Sequence, residues 1–386
     1  MVFTNARLIL PTGVRDHLEV IESGGRICGI RDAGLFPAPD GFDLGGNYLA
    51  PGFIDLHVHG GMGRDTMEAS GEAFREICSY HASGGTTSLL LTTATAPIAQ
   101  IIATLESIRA CRPEIPQIVG AHVEGPFIAA RRAGAQRKEF IRDPDPESLE
   151  LLLGFSDILK RLTLAPELPG ALDAIDRLHA QNIAVSGGHS DAGDEDARCA
   201  FEHGMRHVTH TFNCMSSMHR RNGDRVAGLL EFALSEPDIM CELIADGHHV
   251  TITLMKMLYR AKGAGGICLV TDATAGAGLP DQSHFTLAGA DCVVANGACW
   301  VTDRSALAGS AARMIDLIRT MVGEVGVPLH EAIAMATANP ARALLRKDKG
   351  TLEIGGDADF VVFSPELEVV QTFLAGEEIF SARSSL

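Results

Sequence analysis

Phe53-Ile54-Asp55-Leu56-His57-Val58-His59 is a short run of large apolar residues closed by two histidines two positions apart. On an extended strand successive side chains alternate between faces, so His57 and His59 share one. The apolar residues occupy both faces, as in a strand covered on both sides. Similar runs recur at residues 87–93, 118–124, 161–166, 183–189, 207–212, 240–245 and 267–272. Between them, residues 71–83, 96–111, 146–160, 170–181, 191–203, 225–235, 251–262 and 310–325 carry apolar side chains at three- and four-residue spacing, which predicts helices. Eight strand–helix units in one large domain predict an α/β fold of the (β/α)8 TIM-barrel type. The competing architecture is an open doubly wound sheet, but no Gly-x-Gly-x-x-Gly follows the first strand.

Outward from the barrel, the two chain ends read differently. Residues 6–10, 17–21 and 26–30 are short β-like runs separated by Gly, Pro and Asp. Residues 359–363 and 367–373 follow a turn-rich stretch. The two ends, residues 1–50 and 347–386, are expected to pair into one small β domain beside a barrel of residues 51–346. The 386 residues carry 32 Lys plus Arg against 49 Asp plus Glu, a net charge of −17. That balance argues against nucleic acid and anionic membrane surfaces as partners. No run approaches the ~18 apolar residues of a membrane helix, and the first residues lack the basic start of a signal peptide. The nine cysteines are widely spaced and contain no Cys-x-x-Cys, which fits neither a zinc ribbon nor a disulfide framework and suggests a reducing, cytoplasmic setting.

Active sites of such barrels lie at the C-terminal ends of the strands. Six of the eight predicted ends carry a metal-capable or proton-transferring residue: His57 and His59, Glu124, His189, His210, His249 and Asp272. Taken singly, each has an ordinary explanation as a satisfied histidine, a helix-terminal carboxylate or a cap. Taken together, Glu124, His189 and His210 would surround one point, and imidazole with carboxylate suits zinc or ferrous iron. Asp272, ending the last strand, is placed to move a proton beside a water acidified by such an ion. No Gly-x-Ser-x-Gly, Walker loop or His-Glu-x-x-His competes with this reading.

Several segments in order resemble the amidohydrolase superfamily, and within it the deacetylases of N-acetylglucosamine 6-phosphate. They are Pro51 to Gly60, His122-Val123-Glu124-Gly125-Pro126-Phe127, Leu164-Ala165-Pro166-Glu167, Gly188-His189-Ser190, Thr209 to Met215, Ala245 to Val250, Val270-Thr271-Asp272-Ala273 and Leu307-Ala308-Gly309-Ser310. The resemblance implies a barrel with a β-sandwich from both termini, usually a homodimer. It implies hydrolysis of the N-acetyl amide of a small amino-sugar phosphate by a metal-activated water in amino-sugar catabolism. Carried over by position, Glu124, His189 and His210 are the main metal ligands. His57 and His59 leave room for a second ion, so one or two divalent ions per subunit are implied, zinc or iron. Asp272 is the catalytic acid and base. Asn213, Cys214, Arg221, His249, Leu307, Ala308 and Gly309 are substrate contacts, as are Ala135 and Gln136. Other members carry a histidine where this chain has Ala135-Gln136, and glutamine cannot carry a proton.

Two other readings compete. A different amidohydrolase, such as a galactosamine-type deacetylase, a cyclic amidase or an aminoacylase, would share the fold. Arg221 and His249 would be unnecessary for an uncharged cyclic amide. A non-catalytic scaffold would have lost ligands, whereas every expected ligand and Asp272 are present.

Overall fold

The computed structural model describes residues 1–34, 41–287 and 289–382. Eight parallel strands follow one another in chain order: Phe53–Val58, Thr86–Thr93, Ile118–Glu124, Leu159–Leu164, Ala184–Gly187, His207–Val208, Met240–Leu243 and Ile267–Leu269. The sheet closes where the first and last strands meet. There Val58 bridges Ala273, and the His57 carbonyl accepts from the Asp272 amide at 2.9 Å. Closure makes this the expected barrel rather than an open sheet.

All eight residues of Thr86–Thr93 and all seven of Ile118–Glu124 are buried, because helices cover the outside and side chains fill the inside. The outer layer is apolar. Phe53, Val58, Leu89 and Leu91, for example, pack in one cluster with Phe74 and Ile77 of the helix Gly71–Ala82 and Ile101 and Leu105 of the helix Ile98–Cys111. The interior is polar instead. Arg161, Thr163, Ser186, Thr209, Glu242 and His122 are all buried and meet one another across the barrel.

The termini form a second, mostly antiparallel sheet, in which Tyr48–Pro51 pairs with Val2–Leu10 on one side and Phe360–Phe363 on the other. Phe3 and Phe373 lie on strands separated by two others, which in a flat sheet would stand ~14 Å apart. Their rings are 5.1 Å apart, so the sheet curls around a shared core of Phe3, Leu8, Leu49, Phe360 and Phe373. The sandwich-like expectation is met by one sheet folded on itself.

Some predicted elements shift. The third helix stops at Leu153, because Gly154 ends it and residues 159 and 160 open the fourth strand. Residues 225 and 226 belong to a hairpin, His219–Arg221 with Asp224–Val226, and the helix begins only at Leu229. After the eighth strand, His284–Leu287, Ala290–Ala295 and Ala298–Val301 form a three-stranded sheet that was not expected. Two further helices, Leu329–Ala336 and Ala338–Ala343, also went unpredicted.

Candidate active site

The expected ligands converge at the C-terminal mouth of the barrel. Glu124 lies at the centre and is buried. Its Oε1 stands 3.3 Å from His189 Nε2 and 3.1 Å from His210 Nε2, and those two nitrogens are 3.0 Å apart. Its Oε2 stands 3.2 Å from His59 Nε2, and His57 Nε2 is 3.2 Å from His59 Nε2. Glu124 is thus common to two triads, one with His57 and His59 and one with His189 and His210.

These separations test the fit of an ion. A tetrahedral zinc with ~2.05 Å bonds sets its ligand atoms about 3.3 Å apart. Four imidazoles turn the same nitrogen toward one carboxylate, an arrangement that hydrogen bonding alone does not require. The far nitrogen of His189 faces the Arg132 carbonyl at 2.7 Å, which fixes the tautomer with Nε2 free to ligate. The residues present fit a divalent ion.

Local backbone geometry aims these side chains. His189, His210 and Asp272 have φ of 46°, 31° and 48°, left-handed conformations uncommon for such residues. The chain turns out of the sheet at each, so the side chain leans over the barrel axis. The loop after His189 is held by Glu167, which accepts from Ser190 Oγ at 2.7 Å and the Asp191 amide at 2.6 Å.

Charge balances within the cluster. Burial would raise the Glu124 carboxyl, but His57, His189 and His210 hold it well below the usual range. Burial would lower His57, but Asp272 and Glu124 push it well above its ordinary value. His189 moves up in the same way, through Cys214 and Glu124. Asp272 places Oδ1 3.4 Å from both His57 Nε2 and His59 Nε2, at the edge of the cluster.

A cavity of about 180 Å³ opens over the cluster. It is lined by His59, Glu124, His189, His210 and Asp272, together with Ala135, Gln136, Asn213, Cys214, His249, Leu307 and Gly309. Gly134, Leu287 and Ala306 also line it and were missed by sequence reasoning. Leu287 comes from the unpredicted three-stranded sheet. His249 donates to Asp246 at 2.7 Å; burial opposes its charging, and the Asp246 carboxylate raises its pKa nonetheless. Gln136 has a use other than the one expected: its Nε2 donates to Glu124 Oε2 at 2.6 Å and its Oε1 accepts from the Thr95 amide at 2.7 Å.

Two expected contacts are not brought to this cavity. Ala308 is fully buried beneath its neighbours, its carbonyl accepting from Thr274 Oγ1. Arg221 lies on the exposed hairpin, outside the lining, so one chain does not assemble the expected clamp of Arg221 with His249. Among the described residues, the hairpin's two strands pair only with each other. A larger concavity, about 420 Å³, sits at the opposite end of the barrel near His207 and Arg342. Among the described residues, both groups able to hold an ion belong to the smaller one, so chemistry rather than size locates the site.

Residues 48–379 match the model of the amidohydrolase family. A relative from Vibrio furnissii, an N-acetylglucosamine-6-phosphate deacetylase, is 33% identical over 96% of this chain and 92% of its own. An N-acetylgalactosamine-6-phosphate deacetylase from Escherichia coli O157:H7 is 36% identical over 85% of this chain and 87% of its own. The crystal structure of the N-acetylglucosamine-6-phosphate deacetylase from Pasteurella multocida superposes with a TM-score of 0.93 at 31% identity, covering 98% of both chains.

Proposed function

The chain belongs to the amidohydrolase family, and from that premise we propose that it removes the N-acetyl group of N-acetylglucosamine 6-phosphate, giving acetate and glucosamine 6-phosphate. The observation that carries this is the meeting of Glu124, His189 and His210 beside Asp272 in one cavity at the barrel mouth. Similarity to deacetylases of two amino-sugar phosphates supports the substrate class.

Glu124, His189 and His210 would hold one divalent ion, and His57 and His59 with Glu124 a second. When bound, zinc or ferrous iron would supply Lewis acidity, polarising the acetyl carbonyl and making the attacking water acidic near neutral pH. Asp272 takes that water's proton. It then returns the proton to the amide nitrogen, because an amine leaves poorly until protonated. Asn213, His249, Leu307 and Gly309 hold the sugar against this base. Gln136, already tied to Glu124, steadies the ligand carboxylate.

The phosphate needs cations, since a protein of charge −17 does not attract anions in bulk. His249 supplies one. We assign the other to Arg221 of a second copy, which makes the working unit a homodimer. Nine free thiols, five of them buried, suit a reducing compartment such as the cytoplasm. Among the described residues no helix is long and apolar enough to cross a membrane.

Elemental analysis combined with acetate release from N-acetylated hexosamines, with and without a 6-phosphate, tests the proposal. Metal-dependent release from the gluco-configured phosphate is expected. A clear preference for the galacto-configured phosphate would support the second reading, which the 36% identical relative favours. Equal turnover of phosphorylated and plain sugars would replace both with a general amidohydrolase.

A further inference from the structure

The barrel interior holds a carboxylate that the reaction does not use. Glu242, on the seventh strand, is fully buried. Its Oε2 accepts from the His210 backbone amide at 3.1 Å and faces His57 Nδ1 at 3.4 Å. Its Oε1 lies 2.9 Å from the guanidinium of Arg161, which is 1% exposed and reaches in from the fourth strand. Arg161 also donates to Ser186 Oγ at 2.8 Å. One carboxylate therefore touches both triads from behind: a ring of the first and the main chain of the second.

An imidazole ligates through one nitrogen only if its proton sits on the other. A carboxylate at that far nitrogen fixes the tautomer and makes the ligating nitrogen more basic. His189 obtains this from the Arg132 carbonyl. Among the described residues, His59 Nδ1 and His210 Nδ1 have no hydrogen-bond partner. His57 has Glu242. A lone buried carboxylate would be costly, and Arg161 compensates it. Burial would raise the Glu242 carboxyl, but Arg161 and His57 bring it down to about 2.

We propose that Glu242, neutralised by Arg161, is a positioning residue that fixes His57 as a ligand and so determines whether the His57/His59 triad holds an ion. This rests on the divalent-ion reading above and adds to it a division of labour: Glu242 governs the second ion and leaves the first nearly untouched. Its contact with His210 is to a backbone N–H, which an amide oxygen can accept as well as a carboxylate can.

The test is metal titration of the full-length protein with zinc under chelator competition, for wild type, Glu242→Gln, His57→Ala/His59→Ala, and the triple variant. Wild type should bind two equivalents. Glu242→Gln should weaken one of them by roughly 10- to 100-fold, the range for losing such an outer partner. In the His57→Ala/His59→Ala background the same change should move the remaining ion by less than about 3-fold. If Glu242→Gln fails to fold because Arg161 is left unpaired, Arg161→Leu/Glu242→Gln removes both charges and should show the same selective loss. Equal weakening of both ions, unchanged affinity for both, or a wild type that takes up only one ion would each overturn the inference. A wild type with one ion that still deacetylates leaves the proposed function standing, whereas a metal-free active enzyme removes both.

Discussion

At the residue scale, Asp272 and Gly309 carry the sharpest expectations. Asp272→Asn keeps the shape and removes proton transfer, so kcat should fall by ~10²- to 10⁴-fold while metal content, read by elemental analysis, stays at the wild-type level. Gly309 has φ +66°, and a Cβ there would stand 2.4 Å from Thr274 Cγ2 and 2.5 Å from the Asp272 carbonyl oxygen. Gly309→Ala should cost ~1–3 kcal/mol of unfolding free energy in denaturant titration, and lower turnover by pushing on Asp272. The candidate ligands were legible because His57, His59, Glu124, His189 and His210 are conspicuous at the ends of apolar runs. Arg161 and Glu242 were not: a charged residue in a strand reads as a solvated one until the partner across the barrel is known. Their signal was present in hindsight, as charges inside strands otherwise apolar on both faces. Gln136 was placed near the right cavity, but pattern alone could not orient its amide toward Glu124.

At the element scale, the exposed hairpin His219–Arg221 with Asp224–Val226 matters most. If Arg221 serves a second copy, Arg221→Ala should lower kcat/KM for the phosphorylated sugar several-fold to hundreds-fold and change little for the plain sugar. Mixing inactive Asp272→Asn chains with Arg221→Ala chains should then restore activity to about one-quarter of wild type, because half of randomly formed dimers carry one complete site. No restoration would place Arg221 outside the partner's site. The third strand was read with its observed ends, whereas the sixth is only His207–Val208. It shortens because the residues after it leave the sheet to aim His210, so the functional demand erodes the very pattern that announces a strand. The three-stranded sheet had a readable turn at Asn296-Gly297, whose φ values of 54° and 76° suit a two-residue hairpin. Its strands are only four to six residues long, too short for their alternation to stand out beside the helical stretches.

At the scale of the whole molecule, buried histidines away from the site set a pH dependence. Burial lowers His81 to about 4. Burial, with Arg161 nearby, lowers His207 to about 3. Below ~6.5 the unfolded chain takes up protons at both positions and the folded chain does not. Stability should therefore be full above that pH and decline on acidification toward 4, by up to ~1.4 kcal/mol per pH unit for each group. His207→Gln should flatten the slope measured by denaturant unfolding across pH 4–7. The barrel was legible as a count of eight units, while the curl of the terminal sheet was not, since it depends on contacts between residues such as Phe3 and Phe373 at opposite ends of the chain. That joining of the ends has a consequence for how the protein is made. Tyr48–Pro51 leaves the ribosome well before the strand that seals its open edge, Phe360–Phe363. At ~5–20 residues per second, the roughly 300 residues between them take on the order of 15–60 s to synthesise. Throughout that interval Leu49 and Phe3 belong to an unfinished core, and the nascent chain depends on whatever shields an open strand edge in the cell.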